Sequence, residues 1–85
     1  MRYVYLWPTE RNHICWILKL SKKEGNILTL HRFLFKSWNG NWIPTNKQQR
    51  ATHVVKIVGK HVVFGNGVKR NYRILTEEEY LAMMI

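Results

Sequence analysis

The stretch THVVKIVGKHVVFGNGVKRNYRIL, residues 52–75, decides the fold. It contains three short runs in which strand-forming residues alternate with other residues, and glycine-containing turns separate the runs. Alternation with a period of two is typical of a strand that has one face in a core. Gly59-Lys60 predicts a type II′ turn, because glycine adopts the positive φ that this turn requires. The stretch therefore predicts consecutive antiparallel strands over 52–58, 61–64 and 68–75.

Residues before this stretch show the same pattern. Alternating residues predict strands over 2–7 and 14–21, and a third strand over 27–35 follows the polar link K-K-E-G-N at 22–26. One face of the second strand is expected to line the core, and it carries Ile14, Trp16, Leu18 and Leu20. The first strand is expected to bury Tyr3, Tyr5 and Trp7. The second and third strands are therefore expected to form a hairpin. A second hairpin follows it, and the longest loop is expected after that, over 45–51.

The second of these hairpins is predicted at Asn39-Gly40, a dipeptide that favours a two-residue type I′ turn. Trp38 and Trp42 flank this turn. Pro44 is expected to end the returning strand or to lie at an edge, because proline has no backbone donor for a neighbouring strand.

A short helix is predicted at the C-terminal end. Thr76 followed by Glu79 has the spacing of a capping box, in which each side chain satisfies a backbone amide of the other residue. The acids at 77–79 fall in the first turn, where carboxylates complement the helix dipole. We therefore interpret these acids as structural, in preference to metal ligands or catalytic groups.

Six or seven short strands and one helix in 85 residues predict a single, mainly β domain over 1–85. The expected architecture is a small antiparallel barrel or a strongly bent sheet, comparable in size to an SH3-like or OB-like domain. A flat, two-layer α+β sheet is the alternative. A chain this short buries only about 60–65% of the surface that its unfolded form exposes, which allows one modest core.

Composition limits where in the cell the protein is expected and what it is expected to bind. Cys15 is the single cysteine, so the chain has no internal disulfide, and a reducing cytoplasmic location is expected. The apolar runs are far shorter than the roughly 18–20 residues of a membrane-spanning helix. Neither a membrane partner nor a cofactor is expected.

The charge distribution is the clearest functional signal. The chain has 14 lysines and arginines against five acids, and three of those acids lie in the predicted helix. All the cations but only two acids fall within residues 1–75. Such an excess produces a positive potential that concentrates polyanions. The expected partner is nucleic acid, either RNA or DNA, bound without catalysis.

The residues expected to bind nucleic acid are of two kinds. Cations that contact phosphates are expected on the last strands and the long loop, at Lys56, Lys60, Lys69, Arg70, Arg73, Lys47 and Arg50. Aromatic rings that stack on unpaired bases are expected at Trp38, Trp42 and Tyr72. A solvated strand edge, and a Trp pair that only stabilises its hairpin, are the structural alternatives.

Two other functions stay open. The first is a compact interaction or inhibitor protein, for example one from a mobile genetic element, that binds an acidic surface of a protein partner as a monomer or homodimer. The second is a metal-free ribonuclease in which His53 or His61 acts with Arg70. The histidines have no zinc-ligand spacing, and the chain lacks the clustered carboxylates of a two-metal nuclease, so no metal site is predicted.

Overall fold

A computed structural model describes residues 2–9, 14–38, 41–44 and 52–84, with only the backbone described at Arg32, Phe33 and Trp38. These residues form seven strands and one helix. In chain order they are β1 (Arg2–Pro8), β2 (Ile14–Glu24), β3 (Ile27–Trp38), β4 (Asn41–Pro44), β5 (His53–Val58), β6 (His61–Val63), β7 (Lys69–Leu75) and α1 (Glu77–Met84). The prediction of a mainly β chain with one short C-terminal helix is confirmed.

The strands form a closed antiparallel barrel. Six of them pair in the order β2-β1-β7-β6-β5-β3, and β3 pairs again with β2 to complete the ring. β4 lies outside the ring, paired with the C-terminal end of β3. Closure removes the open edges that a flat sheet of these strands would expose. The small barrel is therefore confirmed, and the flat α+β alternative is wrong.

The bend that closes the barrel lies in the β2–β3 hairpin. Register shifts interrupt this pairing between Ile17 and Leu18, between Leu18 and Leu20, and between Leu20 and Lys22. Such irregularities bend a strand and increase its twist. The bends let β3 pair with β5 at residues 27–30 and with β4 at residues 35–38, while β2 lies along its other side.

Both β2 and β3 are longer than the alternation predicts. The polar residues 22–24 were expected in the link, but they pair with residues 27–29 of β3, and only Gly25 and Asn26 form the turn. Gly25 has a φ of 55°, which suits a tight turn. Backbone pairing at the end of a hairpin does not require apolar side chains, so the polarity of these residues did not end the strand.

The barrel interior holds the larger of two apolar clusters. Its buried members come from five strands and are Val4, Leu6, Leu18, Leu20, Leu28, Leu30, Val55 and Val62. Trp16, Ile57, Phe64, Tyr72 and Ile74 are half-buried against them. The predicted inward face of β2 is confirmed at Leu18 and Leu20, which are buried there. In β1, however, the residues inside the barrel are Val4 and Leu6, and not the expected aromatic face.

A second cluster lies on the outside of the barrel. It is built around Tyr3, Ile17 and Leu75, and partly buried residues of β1, β3, β4 and α1 surround it. Tyr3 is buried because the Tyr80 ring stacks on it, with centroids 3.9 Å apart and ring planes 10° apart. Tyr5 and Trp7 are half-buried on the same outer face. β1 is thus apolar on both faces, since one face lines the barrel and the other is covered from outside.

The helix begins with the predicted capping box. The Thr76 amide donates to Glu79 Oε1 at 3.1 Å, and the Glu79 amide donates to Thr76 Oγ1 at 3.2 Å. These bonds satisfy two amides that the first turn leaves without helical partners. They also stabilise the charged carboxylate, so the hydrogen bond from the Thr76 amide, followed by Arg73 nearby, holds the pKa of Glu79 below its usual value. The structural interpretation of Glu79 is confirmed by these contacts.

Pairing agrees with the other predicted hairpins. Trp38 is opposite Asn41, which leaves two residues for the connection, although Asn39 and Gly40 themselves lie outside the described residues. Strand β4 ends at Pro44, as expected. Gly59 has a φ of 61° in the β5–β6 turn. Among the described residues, no helix has both the length and the apolar character that crossing a membrane requires.

Candidate nucleic-acid interface

The outer face of β5, β6 and β7 forms a continuous surface, here called the β5–β7 wall. Strand alternation and pairing place on it Val54, Lys56, Val58, His61, Val63, Lys69, Asn71 and Arg73. The opposite face of the same strands points into the barrel, where Val55 and Val62 are buried. The wall therefore presents lysines, an arginine and other polar side chains together with three valines, while the opposite face of the same strands contributes to the core.

Two of the predicted cations lie in one row across this wall. Lys56 is opposite Val63, and Val63 is opposite Lys69. Since neighbouring strands are about 4.8 Å apart, the two lysine Cα atoms are about 10 Å apart. Both lysines are exposed. Between described residues, ion pairs join Lys22 to Glu24 and Arg73 to Glu79, so within this part of the chain neither lysine of the row is neutralised.

The other predicted cations of these strands have different surroundings. Lys60 is exposed in the turn between β5 and β6, at the end of the wall that lies away from Lys69. Arg73 is on the wall, but its Nη2 atom is 2.6 Å from Glu79 Oε2, which directs it towards the helix. Arg70 points to the other face of β7, into the open end of the barrel. The predicted cations are thus distributed over the wall, the turn and the barrel mouth.

The barrel mouth contains a cleft of about 420 Å³, here called the barrel-mouth cleft. It opens where β1 and β6 end and where β2, β5 and β7 begin. The residues that line it are Leu6, Trp16, His53, Phe64, Gly65, Asn66, Val68 and Arg70. Three rings and one guanidinium therefore surround a space whose floor is the apolar core.

Contacts between these side chains define two sides of the cleft. The Arg70 guanidinium lies over the Trp16 ring, with its carbon 4.7 Å from the ring centroid, which is a cation–π arrangement. His53 meets Phe64 edge-on, with centroids 5.8 Å apart and planes 71° apart. The Val68 amide donates to Asn66 Oδ1 at 3.1 Å and holds the turn at the rim. Aromatic contacts thus order the side chains that a ligand would meet.

The predicted stacking residues lie elsewhere. Trp42 is half-buried on the outside of the barrel, packed against the outer cluster and edge-on to Tyr5 at 6.0 Å between centroids. Tyr72 is half-buried and packs against the inner cluster. Trp38 is described only by its backbone, and Lys47 and Arg50 lie outside the described residues. Of the ten predicted site residues, the described ones are therefore not gathered into one surface.

Tyr5 and Cys15 form a polar contact on the outer face. Burial, followed by a hydrogen bond to the half-buried Cys15 thiol and by repulsion from its charged form, raises the pKa of Tyr5 to about 12. Burial likewise raises the pKa of Tyr80, with a contribution from Tyr3. These groups stay neutral across the physiological range, so the outer aromatic face adds no negative charge to the basic surface.

The histidines are spread over the barrel. His53 lines the barrel-mouth cleft together with Arg70, one of the pairs that the ribonuclease alternative requires. His61 is on the wall between Val58 and Asn71, and its Nδ1 atom is buried without a hydrogen-bond partner among the described residues. Within the described ranges, no three His, Cys, Asp or Glu residues are grouped as a metal site would require.

The barrel-mouth cleft was missed by sequence reasoning. Trp16 was assigned to the core, and Arg70 was placed with the phosphate-binding cations of a strand surface. The available signal was a cation on the same face of β7 as Tyr72 and Ile74, because an arginine on an inward face requires an opening or a partner.

A comparison of the chain with family models, with curated proteins and with solved structures finds no match.

Proposed function

We propose that this protein is a small, non-catalytic nucleic-acid-binding domain that acts in the cytoplasm. Phosphates contact Lys56 and Lys69 of the β5–β7 wall, with Lys60 in the turn at one end of the wall and Arg70 in the barrel mouth beside Lys69. The predicted loop cations Lys47 and Arg50 extend this set, and the cytoplasmic location rests on the single free cysteine.

One observation supports the proposal most directly, namely the row formed by Lys56 and Lys69. Each lysine is exposed, and the acids of the described residues are either paired elsewhere or confined to the first turn of α1. Lysines in this setting release counterions when they contact a phosphate backbone. Glu79 of the helix reaches the wall at Arg73 and is paired there, so it does not neutralise a lysine of the row.

The test is binding of labelled single-stranded RNA, single-stranded DNA and duplex DNA across a salt series, measured by fluorescence anisotropy. We expect log K to fall linearly with log salt, and a slope near −3 would correspond to about three to four phosphate contacts. Replacing Lys56 and Lys69 together by glutamine should reduce the size of that slope by about 2. The double variant should keep the same fold, because both side chains are exposed.

Arg2→Gln with Lys23→Gln is the matched control, because these two cations are also exposed, lie outside the wall and make no ion pair among the described residues. The control should lose less affinity and change the slope less than the wall variant. No binding of any polymer at about 150 mM salt, with Kd values above the 10⁻⁴ M of weak non-specific binders, would exclude the proposed function. Equal losses in both double variants would show that the wall has no special role.

The alternative function is recognition of an acidic protein surface. The observation that favours it is on the same wall, where Val54 and Val58 are 60% and 50% exposed beside the lysines. Exposed apolar residues within a charged rim are typical of protein interfaces. If no nucleic acid binds, Val54→Ser with Val58→Ser should abolish binding to the protein partner. If nucleic acid binds, the same change should have little effect on its affinity.

A further inference from the structure

The barrel-mouth cleft combines an apolar floor with rings and one cation. Leu6 and Val68 supply apolar surface, and Trp16, Phe64 and His53 supply rings. Among the described lining residues there is no carboxylate. A ligand that fits this lining has a flat unsaturated body and a negative charge at its edge, because rings favour the former and Arg70 favours the latter.

Arg70 has the position of a stacking layer. Its guanidinium lies over Trp16 at 4.7 Å, so one face is covered by an indole, while the residue also lines the open cleft. A guanidinium plane stacks on nucleobases as aromatic rings do, and its N–H groups form two parallel hydrogen bonds to phosphate oxygens. The Trp16 contact holds this plane in place before a ligand arrives, which reduces the ordering cost of binding.

We propose that the barrel-mouth cleft holds one unpaired nucleobase with its adjacent phosphate, supplied by a single-stranded nucleic acid. The base lies between the Arg70 guanidinium and the Phe64 side of the cleft, and its phosphate meets the edge of Arg70. This site rests on the proposed function and adds to it a preference for single strands, since a base that is paired in a duplex cannot enter the barrel-mouth cleft.

The size of the cleft limits how much of a strand it can hold, and the position of Lys69 favours a strand over a small free ligand. The cleft volume of about 420 Å³ is in the lower part of the 300–1,000 Å³ range of ligand pockets, so it suits one base and not a longer segment. In addition, Lys69 is the neighbour of Arg70 in β7 and points to the wall, where it forms a row with Lys56. A chain that leaves the cleft at Arg70 can therefore continue along exposed lysines.

The test compares two labelled strands of equal length, one of oligothymidine and one in which every nucleotide is abasic, by anisotropy at one salt concentration. The wild type should bind the abasic strand roughly 5- to 140-fold more weakly, the range expected when a stacked base is lost. Arg70→Lys keeps the charge but loses the planar layer, so it should bring the two affinities together. Lys69→Ala should weaken both strands and leave their ratio unchanged.

Phe64→Leu is the second variant, since it removes a ring from the other side of the cleft while retaining an apolar side chain. It should also reduce the ratio of the affinity for oligothymidine to the affinity for the abasic strand. Circular dichroism should confirm that Arg70→Lys and Phe64→Leu both fold. Equal affinities of the wild type for the two strands would overturn the base site and leave the proposed function standing. A ratio that persists in both variants would overturn it too, because the bases would then bind elsewhere.

Binding of uridine monophosphate tests whether the ligand of the cleft is a free nucleotide and not a strand. Binding of the mononucleotide without binding of either strand would overturn both the proposed function and the strand as the source, and would identify a free nucleotide as the ligand. Absence of binding by all three probes would overturn both proposals together.

Discussion

The Tyr5 hydroxyl shows how a single contact outside the barrel changes the chemistry of a side chain. It is half-buried, bonded to the Cys15 thiol, and edge-on to Trp42. Desolvation disfavours its charged form, and a thiolate nearby would disfavour it further. Tyr5 therefore holds its proton more tightly in the folded chain than in the unfolded chain, where the pKa of tyrosine is about 10.

This difference predicts a loss of stability at high pH. The Tyr5 contribution is complete below pH 10 and is lost as the pH rises towards 12, because the unfolded state releases its proton first. The free energy of unfolding, measured by urea titration at several pH values from 7 to 12, should fall less steeply in Tyr5→Phe than in the wild type. The range from pH 7 to 9 is the control, because Tyr5 is protonated in both the folded and the unfolded state there and the two curves should run parallel. Curves that stay parallel between pH 10 and 12 would contradict the assignment.

The contrast between Arg70 and Lys69 also belongs to the residue scale. Consecutive residues of a strand point to opposite faces, so one of these cations enters the barrel mouth and the other lies on the wall. The alternation could be read from the sequence, as could the shared face of Arg70 and Tyr72. The partner of Arg70 could not, because Trp16 belongs to β2, and the two residues come together only because β2 and β7 both pair with β1.

Among the elements, α1 depends on its outer contacts. None of its eight residues is fully buried, and its main attachment is the stacking of Tyr80 on Tyr3. The capping box begins the helix at a defined residue, but an isolated helix of this length is unstable in water. The helix therefore persists because its aromatic side chain covers β1.

This attachment predicts unequal effects for two neighbouring helix positions. Tyr80→Ala should lower the free energy of unfolding by about 1–2 kcal/mol, because it removes a stacked ring and exposes Tyr3. Leu81→Ala is the matched control, and it should cost less than about 0.5 kcal/mol since Leu81 is 53% exposed. Chemical denaturation followed by far-ultraviolet circular dichroism measures both. Equal losses would mean that α1 is not held through Tyr80.

The elements also show where sequence reasoning succeeded and where it failed. Strand existence, the terminal helix and its capping box follow from short-range patterns, so they could be predicted. The faces of β1 could not, because an aromatic face is typical of a core, and only the structure shows that α1 and β4 cover this one from outside. Nor could the ends of β2 and β3 be predicted, because pairing between them outweighs the polarity of residues 22–24.

At the scale of the whole molecule, the net charge of +9 on 85 residues acts against compactness. Like charges repel one another, and salt screens them over a Debye length of about 10 Å at 0.1 M. We expect the melting temperature to rise by a few degrees between about 0.02 and 0.3 M sodium chloride. The Lys56→Gln/Lys69→Gln variant should show a smaller rise, measured by differential scanning calorimetry. A melting temperature that falls with salt in the wild type would contradict this expectation.

The pairing of β1 with β7 has a consequence for how the chain folds. Tyr3 is opposite Leu75, so two strands that are far apart in the sequence lie side by side in the ring. Such distant pairing carries a large loop-closure entropy, and barrels rich in it fold in milliseconds to seconds and not in microseconds. During synthesis, β1 must wait for β7 to leave the ribosome before the ring can close. Until then the Tyr3–Trp7 segment lacks one of its two neighbouring strands, and its backbone amides and carbonyls on that side stay unpaired.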